Sequence, residues 1–227
     1  MKRYFGAATI LLLAGCLNTE PTSIVLPFDL NVVGADWTPG VANVPADGLA
    51  EVDLAEGYRS LPAPLPATAN GLYLAGTNVT GDLLLYQQKR FTGLIPNLTF
   101  TAELTVTFAT NIHSGCTTGV GAGTFIKAGA TLLALSQAPD AQGILRLTHD
   151  LGDHTNGGDF TRLGDIRNGL SGCPSPGTFA ARTTITQTQP VTVTTDIDGG
   201  FVLFVAVDSG VLGRVEIYLL SIRLVLT

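Results

Sequence analysis

Alternation with a period of two is the feature that most constrains this chain. Within residues 98–109, Leu98, Phe100, Leu104, Val106 and Phe108 fall on one face, and Thr99, Thr101, Glu103, Thr105 and Thr107 on the other. Successive side chains of a strand point to opposite sides, so the pattern describes a strand with one buried and one wet face. Further strand-like runs occupy 25–33, 72–76, 83–88, 125–135 and 144–148, then 179–188, 191–197, 201–207 and 214–226. Turn-forming clusters separate them, among them Thr38-Pro39-Gly40, Asp47-Gly48, Asn70-Gly71, Asn156-Gly157-Gly158 and Asp198-Gly199-Gly200. The last reads as a hairpin joining the runs on either side of it. With 27 Gly and 12 Pro, helices have little room, and residues 49–58 hold at most a short helical turn. About ten strands of this length predict an all-β fold, an antiparallel two-sheet β-sandwich of jelly-roll-like topology.

Neither a repeat nor a linker divides residues 24–227, which read as one domain. Hydrophobic residues make up 45% of the chain and charged ones 13%, so the surface must be dressed by uncharged polar groups. Thr183-Thr184-Ile185-Thr186-Gln187-Thr188-Gln189 shows how that is done. The formal charge is −6 and there is no basic cluster to neutralise phosphates, which sets nucleic acid aside as a partner. Nor would this domain be drawn electrostatically to an anionic membrane.

The opening residues break the pattern. Lys2 and Arg3 form a basic head, residues 7–13 an apolar run, and Leu13-Ala14-Gly15-Cys16 closes it, in the order of an export signal. The apolar run falls far short of the roughly 20 residues that span a bilayer. Leu-Ala-Gly-Cys resembles the lipobox of bacterial lipoproteins. That resemblance implies a diacylglycerol on Cys16, cleavage before it, and acylation of the new amine, palmitate being a typical acyl group. Residues 1–15 are then a removed signal peptide and 16–23 a lipidated Cys with a short tether. Two or more acyl chains are what stable anchoring requires. Leu17 stands where an Asp would imply inner-membrane retention, so the resemblance implies the outer membrane in a Gram-negative cell. Fully extended, residues 17–23 reach about 25 Å, which keeps the domain in the cell envelope close to its membrane.

With Cys16 assigned to the lipid, Cys116 and Cys173 remain as an even pair in an oxidising compartment. A disulfide between them closes a loop of more than fifty residues, worth about 4 kcal/mol on the chain-entropy model.

Two blocks carry a second resemblance. One runs from Gly76-Thr-Asn78 through Gly81-Asp82-Leu83-Leu84-Leu85-Tyr86 and Gly93-Leu94-Ile95-Pro96-Asn97 to Phe108-Ala109-Thr110-Asn111. The other joins Cys116-Thr-Thr-Gly119-Val120-Gly121-Ala-Gly123 to Ile126-Lys127-Ala128-Gly129. Together they resemble a group of bacterial exported proteins and lipoproteins of uncharacterised function. The resemblance implies an all-β envelope domain and brings no catalytic residues with it.

The densest polar cluster is His149, Asp150, Asp153, His154, Asn156 and Asp159. Calcium takes six to eight oxygens, so this loop is a candidate calcium site. His149 and His154 with a carboxylate make it a candidate for zinc. Neither spacing follows an EF-hand or His-Glu-x-x-His template, and Asp or Asn beside Gly also builds Asx turns without metal. Gly119-Val-Gly121-Ala-Gly123 lacks the following helix and Lys-Ser/Thr of a phosphate loop, and reads as a loop pinned by Cys116. Ser114 and Ser171 lack a Gly-x-Ser-x-Gly elbow, and the carboxylates are few and scattered for a glycosidase pair. Trp37, the single Trp, reads as a core cap in preference to a stacking platform for sugars. The reading that emerges is a lipid-anchored envelope protein without enzymatic activity or cofactor, binding a glycan, peptide or envelope partner. The alternative is a calcium- or zinc-dependent enzyme centred on residues 149–159.

Overall fold

The computed structural model describes residues 24–30, 37–150, 152, 158–185 and 191–227. In chain order its strands are β1 (Ile24–Asp29), β2 (Thr38–Ala42), β3 (Val44–Pro45), β4 (Ala55–Ser60) and β5 (Asn70–Asn78). Then come β6 (Leu83–Phe91), β7 (Thr99–Thr110), β8 (Thr124–Thr131), β9 (Gln137–Pro139) and β10 (Ile144–Leu147). The last five are β11 (Thr161–Asp165), β12 (Ala180–Ile185), β13 (Val191–Thr194), β14 (Phe201–Ser209) and β15 (Gly213–Leu226). Two antiparallel sheets face each other. The first has the order β12-β7-β15-β5-β4, with β13 also on β7 and β1 also on β15. The second has the order β11-β8-β14-β6-β2, and β3-β10-β9 form a small accessory sheet. From β5 to β8 and again from β13 to β15 the chain changes sheet at every strand, the jelly-roll-like weave that the sequence predicts.

The alternation of β7 lands as expected for Phe100, Leu104, Val106 and Phe108, which are buried between the sheets, whereas Leu98 precedes the strand and is exposed. In β15 a bulge between Leu219 and Ser221 shifts the register against β7. The extra residue reverses the inward parity, so Val215, Ile217 and Leu219 before it and Ile222, Leu224 and Leu226 after it all reach the core. Strand β14 is buried along its whole length. Phe201, Leu203, Val205 and Val207 fill the inter-sheet core, while Phe204 and Ala206 face a second, smaller core on the outer side of their sheet. Leu135 and Phe160 help cover that side, with Phe160 against Phe204 at 4.2 Å between ring centroids. Within this layer lies an ion pair, Lys127 Nζ to Asp208 Oδ2 at 2.9 Å, with both side chains buried. Lys127 Nζ also donates to the Gly152 carbonyl at 3.3 Å.

Three local expectations are corrected. Asp198-Gly199-Gly200 is a tight turn but no hairpin, because β13 pairs with β7 and β14 with β6 and β8, so the chain crosses between sheets there. Val193 and Val205 each bury a face, but from opposite sides of the core. Thr38-Pro39-Gly40 belongs to β2, an edge strand, where a Pro without an N–H is tolerated. Gly40 is needed in it because a Cβ would strike the Tyr86 ring. The run 125–135 stops as strand at Thr131. The short helical turn is Leu49–Val52.

At the end of the sandwich where β7 finishes, loops 111–123 and 166–179 are sewn together. Cys116 and Cys173 form a disulfide across 57 residues. Gly115 lies against the Gly172 backbone, with no space for a Cβ. Buried His113 meets the Ser171 carbonyl through Nδ1 at 3.0 Å and accepts from the Thr178 N–H through Nε2 at 2.9 Å. A carbonyl can only accept, so Nδ1 carries the hydrogen and the neutral tautomer is fixed. The glycine-rich run forms a 3-10 turn at Gly119–Gly121, packed on the Cys116 carbonyl as expected of a pinned loop. A clamp joins the edges of the two sheets nearby: Asp165 of β11 accepts from Arg182 of β12 at 2.7 Å and from the Arg167 side chain at 2.8 Å. Burial alone would raise the Asp165 carboxyl, but hydrogen bonds from the Arg167 side chain and N–H and from Arg182 outweigh it, bringing its pKa down to about 2.

Candidate functional site

A cleft of about 540 Å³ opens where β13, at the edge of the first sheet, comes alongside β8 of the second. Strand β11 pairs with β8 only as far as Thr161 opposite Ala128, so the last residues of β8 run past the end of that pairing. Ala130, Thr131, Leu132 and Leu133 form one wall, and Val191, Thr192 and Thr194 another. Thr161, His149, Gly158 and Asp159 complete it. The loop sits this close because Gly129 has no side chain; a Cβ there would strike the Asp159 carbonyl.

Two of the residues singled out in the sequence, His149 and Asp159, therefore line the cleft. Their neighbours explain the local shape. Asp150 accepts from the Gly152 N–H at 3.1 Å with one carboxylate oxygen and from the Gly158 N–H at 2.7 Å with the other. Asp159 accepts from the Asp150 N–H at 2.9 Å, and His149 Nδ1 lies 3.1 Å from the Thr148 hydroxyl. The two carboxylates thus staple the loop in the manner of Asx turns. Asp153 and His154, like Cys16, lie outside the described residues. Among the described residues no group of three His, Cys, Asp or Glu side chains converges in a way that would hold a metal.

The cleft is chemically mixed. Thr131, Thr161, Thr192 and Thr194 bring hydroxyls. Thr131 already donates to the Leu133 carbonyl at 2.6 Å and Thr194 shares a hydrogen bond with the Thr99 hydroxyl at 3.1 Å, leaving their remaining lone pairs to a ligand. His149 and Asp159 add polar groups that fix direction, and Leu132 and Leu133 add exposed apolar surface. Among the described residues, neither Lys nor Arg lines the cleft. Such a surface can exchange hydrogen bonds with a hydroxylated ligand and cover its C–H faces, while its described residues bring no Lys or Arg to a phosphate or carboxylate.

Trp37 is no platform. It is 8% exposed and meets Phe91 edge-on at 6.3 Å, capping the core as the sequence implies. Tyr73 and Tyr218 pair at 4.8 Å on the outer face of the first sheet, but both are buried under their neighbours. The threonines and leucines of the cleft escape sequence reasoning because they meet only when β11 pairs with β8 and the edge strand β13 of the first sheet packs alongside β8 of the second.

No family model matches the sequence, and no curated protein matches it. Solved structures match it at low identity and low TM-score. One is the enzymatically active domain of tailspike protein 4 from bacteriophage CBA120, 10% identical, with 82% of this chain and 19% of that one covered and a TM-score of 0.37. A cleaved adhesin domain of Lys-gingipain from Porphyromonas gingivalis is 14% identical over 88% of this chain and 97% of that one, with a TM-score of 0.37. Carbohydrate-binding modules of the β-sandwich superfamily with promiscuous specificity are 12% identical over 84% of this chain and 56% of that one, at 0.40. The chain spans about a fifth of the tailspike and over half of the carbohydrate-binding structure. These values transfer no site and no ligand.

Proposed function

We propose that this chain is a lipid-anchored binding protein of the bacterial cell envelope, without catalytic activity, whose cleft takes a neutral, hydroxyl-rich ligand of the oligosaccharide class. The observation that carries this reading is the lining: four Thr hydroxyls, one His and one Asp beside two exposed leucines, with no Lys or Arg among the described residues. A volume of about 540 Å³ lies within the roughly 300–1,000 Å³ range of small-ligand sites. Asp159 in the wall and a formal charge of −6 disfavour acidic sugars and anionic peptides. The lipid on Cys16 would supply the attachment to the membrane, with the outer membrane as its destination in a Gram-negative cell because Leu17 follows.

Screening the protein against neutral and acidic oligosaccharides, followed by calorimetry on the hits, tests the cleft. Thr192 is exposed, so Thr192→Arg fills the space without disturbing the core. The variant should weaken a neutral oligosaccharide by about tenfold or more, equivalent to about 1.4 kcal/mol. A hit that binds Thr192→Arg as tightly as the parent, or a screen that retains no oligosaccharide, contradicts the proposal.

A further inference from the structure

The two ends of the sandwich differ in what they present, and the chain enters at one of them. Ile24 pairs with Leu226 at the start of β1, and Leu226 lies opposite Ala102, three residues in from the start of β7. The loops 92–98, 132–136 and 195–200 lie at this same proximal end, following β6, β8 and β13. Their tips carry Ile95, Leu98, Leu132, Leu133 and Ile197, with Leu133 74% and Ile197 76% exposed.

Apolar residues scattered singly over a surface need no explanation. These are gathered at one end and held in place. Leu94 N–H donates to the Gly199 carbonyl at 3.1 Å, Asn97 N–H to the Asp196 carbonyl at 3.0 Å, and the Thr195 hydroxyl to the Ile95 carbonyl at 2.7 Å. Gly199 has φ +69° and touches the Leu94 carbonyl, where a side chain would not fit. Arg90 joins the third loop, bonding the Leu132 carbonyl and pairing with Asp196. The apolar tips are thus fixed relative to one another before any partner arrives, which lowers the entropy lost on docking.

We infer that this proximal end rests on the lipid bilayer, with Ile95 and Ile197 entering the headgroup boundary and Leu132 and Leu133 left to the cleft. The inference builds on the lipid-anchor reading of Cys16. The tether of residues 17–23 spans about 25 Å at full stretch and joins the fold at Ile24, on this end. The nine residues of β14 set the ends about 30 Å apart. A tether of that length cannot lay the distal end on the membrane, but it leaves the proximal tips within easy reach. Charge does not drive the contact: Arg90 and Asp196 satisfy each other, and exposed Asp198 disfavours anionic lipid. The surface suits a zwitterionic interface.

The test uses the full acylated protein in phosphatidylcholine vesicles. With Cys16 acylated and Cys116–Cys173 closed, Ile197→Cys introduces a single free thiol for an environment-sensitive fluorophore. Leu212→Cys, in the β14–β15 turn at the distal end and 65% exposed in the parent, is the matched control. The Ile197 label should shift to the blue on vesicles, be quenched by brominated acyl chains, and hold its signal at raised salt; the Leu212 label should do none of these. In a chain with verified acyl mass, an Ile197 label that stays solvent-like, or equal quenching at both positions, overturns the docking while sparing the anchor. A chain without acyl mass overturns the anchor and, with it, the tether geometry on which the docking depends.

Discussion

Lys127→Met is expected to destabilise the domain by about 3–5 kcal/mol, because it strands the Asp208 carboxylate in a buried layer without its cation. The ion pair sits on the outer side of the second sheet, beneath the segment that forms one wall of the cleft. Lys127 is fully buried and bonded to the Gly152 carbonyl as well as to Asp208, so removing it also loosens the stapled loop 149–159. Replacing both partners together, Lys127→Met with Asp208→Leu, removes the stranded charge and should recover most of the loss, since an apolar pair of similar volume is often neutral or better. Urea unfolding of the two variants separates these effects, with the midpoint moving and the slope unchanged. A single variant that costs less than about 1 kcal/mol would show that the pair is hydrated in solution. The cleft should weaken in both variants, because neither keeps the bond to Gly152.

The double substitution Cys116→Ser, Cys173→Ser should cost about 4 kcal/mol. The bridge closes 57 residues, and the chain-entropy model assigns that loop roughly this value. For a domain of this size such a loss lowers Tm on the order of 10 °C. The fold should nonetheless survive at 25 °C, because the same loops are tied by other bonds. His113 bridges Ser171 and Thr178, while the Asn168 amide donates to the carbonyls of Thr110 and Thr178 at 2.9 Å each. Calorimetry of the parent and the double variant measures the shift. A change under about 2 °C would mean that those bonds already restrict the unfolded chain or that the bridge strains the native one.

Much of the architecture was legible because its signals are local. The two-residue period of residues 98–109 identified β7, and the even cysteine pair identified the bridge that joins loops 111–123 and 166–179. What stayed hidden depends on contacts between distant segments. The bulge at Leu220 cannot be seen in the apolar run 214–226, since either parity looks hydrophobic there. Asp198-Gly199-Gly200 makes the turn its residues favour, yet turn chemistry does not say whether the next strand joins the same sheet or the facing one. Strand β2 was missed because Pro39 and Gly40 carry a turn signature; the edge position and the Tyr86 ring over Gly40 reverse its meaning. Of the cleft, only His149 and Asp159 stood out, as members of a dense polar cluster. Thr131, Thr161, Thr192 and Thr194 are ordinary strand threonines until the packing of one sheet on the other gathers them.

The proposed binding cleft and docking end would gain their joint meaning from the proposed lipid on Cys16, which would keep the domain within about 25 Å of a membrane. Intact mass spectrometry of the protein extracted from membranes of an expressing Gram-negative host, run beside Cys16→Ser, measures that most directly. The account predicts a chain beginning at Cys16 with the added mass of a diacylglycerol and an amide-linked acyl group, and a Cys16→Ser variant that leaves the membrane fraction. A membrane-bound chain that retains residues 1–15 without acyl mass, or a Cys16→Ser variant that stays fully membrane-bound, would contradict it.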